Sequence, residues 1–283
     1  MSLIVNTNSE ALIAQNNLNG TENALSGAMT DLSSGLRINT AADDAAGYAI
    51  TQDLTSQVRG LNQANSNAQD ATSLVQTADG ALNDVNQMLQ RVRELAVEYQ
   101  GGTLDSTDQN AIVSEVQQLA SQIEQIGNQA QFNGISLFSP SGTSGTGNLT
   151  FQVGANAGET ISITLQALTG SGGIISQIDS IGTSGTGISL GDSNVLTTLS
   201  NMIDKVSTLA STFGAVQNRL SYTMNNLSTY SENLNSAQST IQDVDMAAEM
   251  TEFTKDQILE QSGISMLSQA EQNPQQILKL LGA

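Results

Sequence analysis

The chain has 283 residues, enough for one large domain or two ordinary ones. It carries 27 Asp and Glu against 8 Lys and Arg, a net charge of −19, which argues against nucleic acid or an anionic membrane as partner because both reward basic surface. With no Cys and no His there is no disulfide, thiol nucleophile, Ser-His-Asp triad or imidazole metal site, so an enzyme is a poor reading. Aromatic residues are only 3% and Trp is absent, so thin, elongated helical packing is expected rather than a bulky core. No apolar run approaches the roughly 20 residues that span a bilayer. Met1 to Asn6 show no basic stretch or long apolar stretch of a cleaved signal.

Glycine divides the chain. Residues 139–195 hold 12 of the 25 glycines and no Lys or Arg. Pro140 opens this middle and Pro274 sits near the end, so both flanks are free to form long helices. The expected organisation has four parts: 1–43 and 241–283 as two halves of one terminal domain, 44–195 as a rod with a variable middle, and 196–240 as the return rod.

The N-terminal flank keeps a seven-residue apolar beat: Leu54, Leu61, Ala68, Val75, Leu82, Leu89 and Ala96, with Ala64, Ala71, Ala78, Val85 and Val92 three residues on. Sustained heptads predict a helix packed in coiled-coil fashion. At about 1.5 Å per residue, 44–99 makes a rod of roughly 80 Å. A Gly101-Gly102 turn leads to a shorter helix with Ile112, Val116, Leu119, Ile123 and Ile126 on one stripe, begun by an apparent capping box at Ser106-Thr107-Asp108-Gln109.

After Asn133-Gly134 the period changes. Leu149–Val153 and Ile161–Leu165 alternate apolar and polar around Asn156-Ala157-Gly158, which predicts a β-hairpin. Gly170–Gly173 and the pentapeptide Thr-Ser-Gly-Thr-Gly at 143–147 and 183–187 read as loops. They lack the following Lys and the strand-to-helix setting of a phosphate cradle. The return flank repeats the beat at Leu199, Val206, Phe213, Leu220, Leu227, Leu234 and Ile241, with Leu196, Ile203, Ala210 and Met224 as companions. Two rods joined by such a middle lie antiparallel, with the hairpin at the far end or on the outside.

Both extreme ends are apolar, where chain ends are normally polar and frayed. Ile4, Ala11, Leu18, Leu25 and Leu32 continue a heptad, and Met246, Met250, Phe253, Ile258, Ile264, Leu267, Ile277, Leu278, Leu280 and Leu281 load the other end. Ordering each end costs about 1–2 kcal/mol per residue, against about 1.5–3 kcal/mol for each large side chain fully buried. Such ends are expected to fold by packing on each other and on neighbouring subunits.

Residues 31–50, DLSSGLRINTAADDAAGYAI, resemble the N-terminal signature of bacterial flagellins. Further matches are Leu54–Gln57, Gln90–Val97, Gln131–Gly134, Phe151–Asn156, Gly214–Leu220 and Gln269–Leu278, together spanning the chain outside roughly 167–195. The resemblance implies a mainly α subunit of long antiparallel coiled-coil rods, with a small β-hairpin and Gly-rich loops, that polymerises into the extracellular filament for motility. It implies an inner tube assembled through Leu18, Leu25, Leu32, Phe253, Ile264, Leu267, Leu278 and Leu281. Leu61, Leu82, Leu89, Phe213, Leu220 and Leu227 would hold the rods. Implied partners are other copies of the chain, hook-associated junction and cap proteins, and an export chaperone on the C-terminal end during type III export. The animal flagellin-sensing Toll-like receptor would read Arg91, Leu95 and Glu115.

The segment sensed by plants departs from the family at Thr30-Asp31 and Ala42, where Gln-Arg and Lys usually stand. Two other readings remain at this level: a hook–filament junction protein, and a secreted coiled-coil adhesin. Asp43-Asp44 reads as a helix N-terminus rather than an acid–base pair. Arg91 and Arg93 read as ion-pair partners of Glu94 or Glu98, and Arg59 and Arg219 as contacts between rods. No cofactor or metal is implied, and the zinc peptidase borne by some flagellins is excluded by the lack of His.

Overall fold

The computed structural model describes residues 7–138, 147–168 and 190–281, with side chains as far as Gln272. Ile4, Pro140, most of both pentapeptides, Gly170–Gly173 and the side chains of Ile277, Leu278, Leu280 and Leu281, all named above, lie outside the described residues. In chain order the elements are α1 (Ser9–Ser34), α2 (Ala45–Tyr99), α3 (Ser106–Gln129), β1 (Gln131–Phe132), β2 (Ile135–Ser136), β3 (Asn148–Gln152), β4 (Thr160–Thr164), α4 (Val195–Gln242) and α5 (Met246–Leu281). The protein is mainly helical with small antiparallel hairpins. It forms two compact units: a terminal unit of 1–57 with 232–283, and a rod unit of 58–231. Helices α2 and α4 are each shared between them.

The rod unit follows the heptads. On α2 the seam Leu61, Ala68, Val75, Leu82, Leu89 and Ala96 is buried, as are Ala64, Ala71, Ala78, Val85 and Val92. From Ala68 onward they join one core with Ile112, Val116 and Ile123 of α3 and with α4. The rods run antiparallel. Leu61 shares a cleft with Leu227 and Tyr230, while the Gln100 side chain donates to the carbonyls of Leu190 and Asp192 at 3.4 and 3.2 Å.

Three details of this unit differ from the sequence reading. On α4 the fully buried companions of Leu199, Val206 and Phe213 are Met202, Leu209 and Val216, whereas Leu196, Ile203, Ala210 and Met224 are only partly covered. The apolar stripe of α4 is wide because it packs into a core shared by two other helices, and its rim tolerates Gln217. The cap of α3 is Asp105 rather than Ser106: its carboxylate accepts from the N–H groups of Thr107 and Asp108 at 2.7 and 2.9 Å. A carboxylate there also meets the positive end of the helix dipole. Finally, Asn133-Gly134 is itself a hairpin turn between β1 and β2, with φ of 49° and 77°.

The predicted hairpin is present as β3 and β4, with Leu149 opposite Ile163 and Phe151 opposite Ile161. It lies along the outside of the rods. Asn67 of α2 donates to the Gln152 carbonyl at 2.9 Å, and a Cβ on Gly60 would come within 3.1 Å of the Ala155 Cβ. Glu159 closes the turn by accepting from the backbone and side-chain N–H of Asn156 at 3.0 and 3.1 Å, which holds its carboxyl below the usual range.

In the terminal unit the flagellin-like signature folds as a hydrogen-bonded connector between α1 and α2. Gly35 ends α1 in the left-handed region, φ 73°, with its N–H on the Asp31 carbonyl at 2.8 Å. The Arg37 N–H and guanidinium donate to the carbonyls of Gln242 and Ile241 at 2.7 and 2.5 Å, and Val244 donates back to Gly35 at 3.1 Å. Asp44 caps α2 through the N–H groups of Ala46 and Gly47. Asp43 instead folds back on the N–H groups of Asn39 and Thr40 at 3.0 and 2.8 Å. The Thr40 bond first, then Asn39, lowers the Asp43 pKa below 3.8. A depressed carboxylate stabilises the fold above its unfolded value and loses that contribution as pH falls through the folded one, so the connector should loosen only below about pH 4.

Gly47 sits where a side chain would force its neighbours to move. A Cβ would lie 2.5 Å from the Asp44 carboxylate and 2.7 Å from Ile38 Cδ1. Gly47→Ala is therefore expected to destabilise the connector by about 1–3 kcal/mol, read as faster amide exchange across 35–47. Unchanged exchange would show that Asp44 and Ile38 yield without cost.

Candidate functional site

Among the described residues no group of acidic side chains is placed to hold a metal ion. No helix of the described chain is long and apolar enough to cross a membrane.

The first surface is the α1–α5 pair. The two helices run antiparallel: Asn8 donates to the Ala270 carbonyl at 2.7 Å at one end, and Leu36 bridges Asp243 at the other. Leu18, Leu25 and Leu32 of α1 and Phe253 and Leu267 of α5 are covered only in part, while Ile264 stands exposed. Midway, α5 presents Gly263 to Leu18, and a Cβ there would meet Leu18 Cδ1 at 3.2 Å. Two helices alone cannot enclose side chains of this size. The pair keeps Leu12, Ile13, Met29, Met246, Met250, Ile258, Leu259, Ile264 and Met266 exposed, nine of the fourteen large apolar side chains left open among the described residues. Between the helices runs a groove of about 600 Å³ with Ile13, Leu18, Leu259, Gly263 and Met266 among its lining.

The rod residues present no such surface. Leu61, Leu82, Leu89, Phe213, Leu220 and Leu227 are all buried within their own unit.

The second surface joins α2 to α3. Arg91 donates through Nε and Nη2 to one carboxylate oxygen of Glu115 at 3.0 and 2.9 Å, and through Nη1 to Glu94 at 3.3 Å. Glu115 first, then Glu94, keeps the guanidinium more firmly protonated than usual. The group is about half exposed, so solvent screens it and its worth lies in orientation rather than stability. Leu95 does not share this exposure. It is 2% exposed and belongs to the rod core, one turn beyond Arg91. Arg59, Arg93 and Arg219 form no ion pair among the described residues, so the expected Arg93 pairing with Glu94 or Glu98 is not made.

Comparison with known proteins gives a consistent set of likenesses. Residues 5–143 match the bacterial flagellin N-terminal helical region, and residues 196–281 match the bacterial flagellin C-terminal helical region. A flagellin of Halalkalibacterium halodurans is 42% identical, over 99% of this chain and the whole of that protein. A flagellin of Bacillus subtilis is 41% identical, over 98% of this chain and 99% of that protein. The flagellar filament 33 kDa core protein of Treponema phagedenis is 38% identical, over 99% of this chain and the whole of that protein.

Proposed function

Because the chain belongs to the bacterial flagellin family, a family of structural filament proteins rather than enzymes, we propose that its α1–α5 pair is the element by which copies of the subunit assemble into an extracellular flagellar filament. The observation that carries this is the uncovered pair: nine exposed large apolar side chains lie on two helices with a groove between them. Exposed apolar patches around such a groove mark interaction surfaces. A family of polymers supplies the occupant, which is the same pair on neighbouring copies. Seeded growth of purified subunit, followed by light scattering and electron microscopy, tests it. Long uniform filaments are expected, and a subunit that never extends seeds would overturn the reading.

Export through the flagellar type III apparatus fits the same surface. A chain that travels unfolded needs cover for its apolar C-terminal end, and the open Met246, Met250, Ile258, Leu259, Ile264 and Met266 of α5 give an export chaperone apolar side chains to hold. The ends of the filament would meet hook-associated junction and cap proteins through the same helices.

Recognition by the flagellin-sensing Toll-like receptor would centre on Arg91 and Glu115. They face solvent together, while Leu95 acts from beneath as the packing that fixes this turn of α2. Arg91→Ala is expected to raise the half-maximal concentration in a receptor reporter assay by about tenfold or more, as loss of an arginine anchor typically does. An unchanged dose response would remove Arg91 from the contact.

A further inference from the structure

The methionines are distributed unevenly, and the filament reading does not explain this. Seven of the eight fall in the described residues. In the rod unit Met202 is buried, and Met88 and Met224 are packed against the core. In the terminal unit all four are open: Met29 is 56% exposed, Met246 48%, Met250 47% and Met266 63%. They also fall into an arrangement. Met246, Met250 and Ile264 lie along one stripe of α5, since 4 and 14 residues each come close to whole turns at 3.6 residues per turn. The antiparallel register, fixed by Gly35 with Val244 at one end and Asn8 with Ala270 at the other, brings Met29 level with Met250. Met266 lies in the groove beside Ile13 and Leu259.

Thioethers on long unbranched side chains suit a surface that must pack against more than one neighbour. They are also the apolar groups most readily made polar. The sulfur lone pair attacks a peroxide oxygen, the O–O bond breaks, and the thioether is oxidised by two electrons to the sulfoxide as the peroxide is reduced to water or alcohol.

We propose that Met29, Met246, Met250 and Met266 are modification sites for peroxides, and that their oxidation in the free subunit blocks its addition to a growing assembly. This rests on the filament reading above. Covering the pair on both faces by neighbouring copies would bury the four sulfurs and close them to the oxidant. A sulfoxide placed there beforehand would bring an unpaired S=O into an apolar contact. The device is therefore directional: free subunits are sensitive and assembled ones are protected.

The test treats purified full-length subunit and finished filaments with hydrogen peroxide, maps sulfoxides by peptide mass spectrometry, and then follows seeded growth. In the free subunit the four sites are expected to oxidise about tenfold faster than Met202, as exposure dictates, and seeded elongation to fall about tenfold or more. The same sites in filaments should resist. A subunit with Met29→Leu, Met246→Leu, Met250→Leu and Met266→Leu keeps volume and apolarity, and should elongate equally before and after peroxide. Should that variant not elongate at all, repair of the oxidised natural subunit by methionine sulfoxide reductases decides the matter. Recovered growth supports the proposal and unrecovered growth overturns it. Oxidised subunit that elongates at the untreated rate, or a leucine variant as sensitive as the natural chain, overturns this inference alone. Untreated subunit that never elongates overturns the filament reading and this inference with it.

Discussion

Phe213→Ala is expected to lower the unfolding free energy of the rod unit by about 3–5 kcal/mol, the cost of deleting a fully buried ring and leaving its cavity. Phe213 is 0% exposed and stands in the strict heptad of α4, within one core shared with α2 and α3. The rest of that core is mostly Ala, Val, Leu and Ile, with Phe138 the other ring buried in it among the described residues. Domains of ordinary stability hold about 5–15 kcal/mol in reserve, so the loss would be a large part of the total. Urea titration followed by circular dichroism measures it. Tyr222→Ala on the same helix, at 76% exposure, serves as the control and should change stability by no more than about 0.5 kcal/mol. Equal effects of the two substitutions would contradict the assigned face of α4.

Ile258→Asp combined with Ile264→Asp is expected to abolish growth at ordinary concentrations while leaving the subunit helical. Both side chains are open in the subunit, at 68% and 51% exposure, so the fold gives up little by losing them. In an assembly that covers α5, each would become a carboxylate in an apolar contact, on a pair already carrying Glu249, Glu252, Asp256 and Glu260. Burying a charge without a partner is costly enough to raise the critical concentration by about 100-fold or more. Unchanged helicity with lost growth is the expected combination. Growth at the natural rate would place Ile258 and Ile264 on the outside of the assembly.

How far the sequence carried depended on whether the determining residues were near in the chain. The α2 seam was legible because its Leu, Val and Ala recur at a fixed spacing over six heptads, with few large apolar residues such as Leu74 and Leu95 between them. The α4 companions were not, because apolar residues flank Leu199, Val206 and Phe213 on both sides. Periodicity alone cannot say which flank, Met202 and Leu209 or Ile203 and Ala210, faces the core. The hairpin at Asn133-Gly134 was missed for a different reason. Its strands are two residues each, too short to show alternation, and only the turn dipeptide announced it. Ser106 and Asp105 both suit a cap, and the carboxylate was chosen by hydrogen bonds that spacing does not reveal.

The signature at 31–50 shows the limit most clearly. It identified the family by resemblance, yet the roles within it are tertiary. Arg37 reaches carbonyls some 200 positions away, and Gly47 is crowded by Ile38 and Asp44 rather than placed in a turn. In the same way Leu95 sits in the motif beside Arg91 but points into the core, which only the packing of α2 settles. For the terminal helices, sequence gave the apolar load, and the structure divided it into residues the pair covers in part and residues it leaves open.

In a filament α1 and α5 would be completed by other copies of the chain. Amide hydrogen exchange over these two helices, in the free subunit and in seeded filaments, tests that most directly. Exchange across Ser9–Ser34 and Met246–Leu281 should be fast in the free subunit and slow markedly on assembly, while the rod seam from Leu61 to Leu95 stays protected throughout. Terminal helices equally protected before and after assembly would contradict the account, and would make the pair a finished domain rather than a surface awaiting its neighbours.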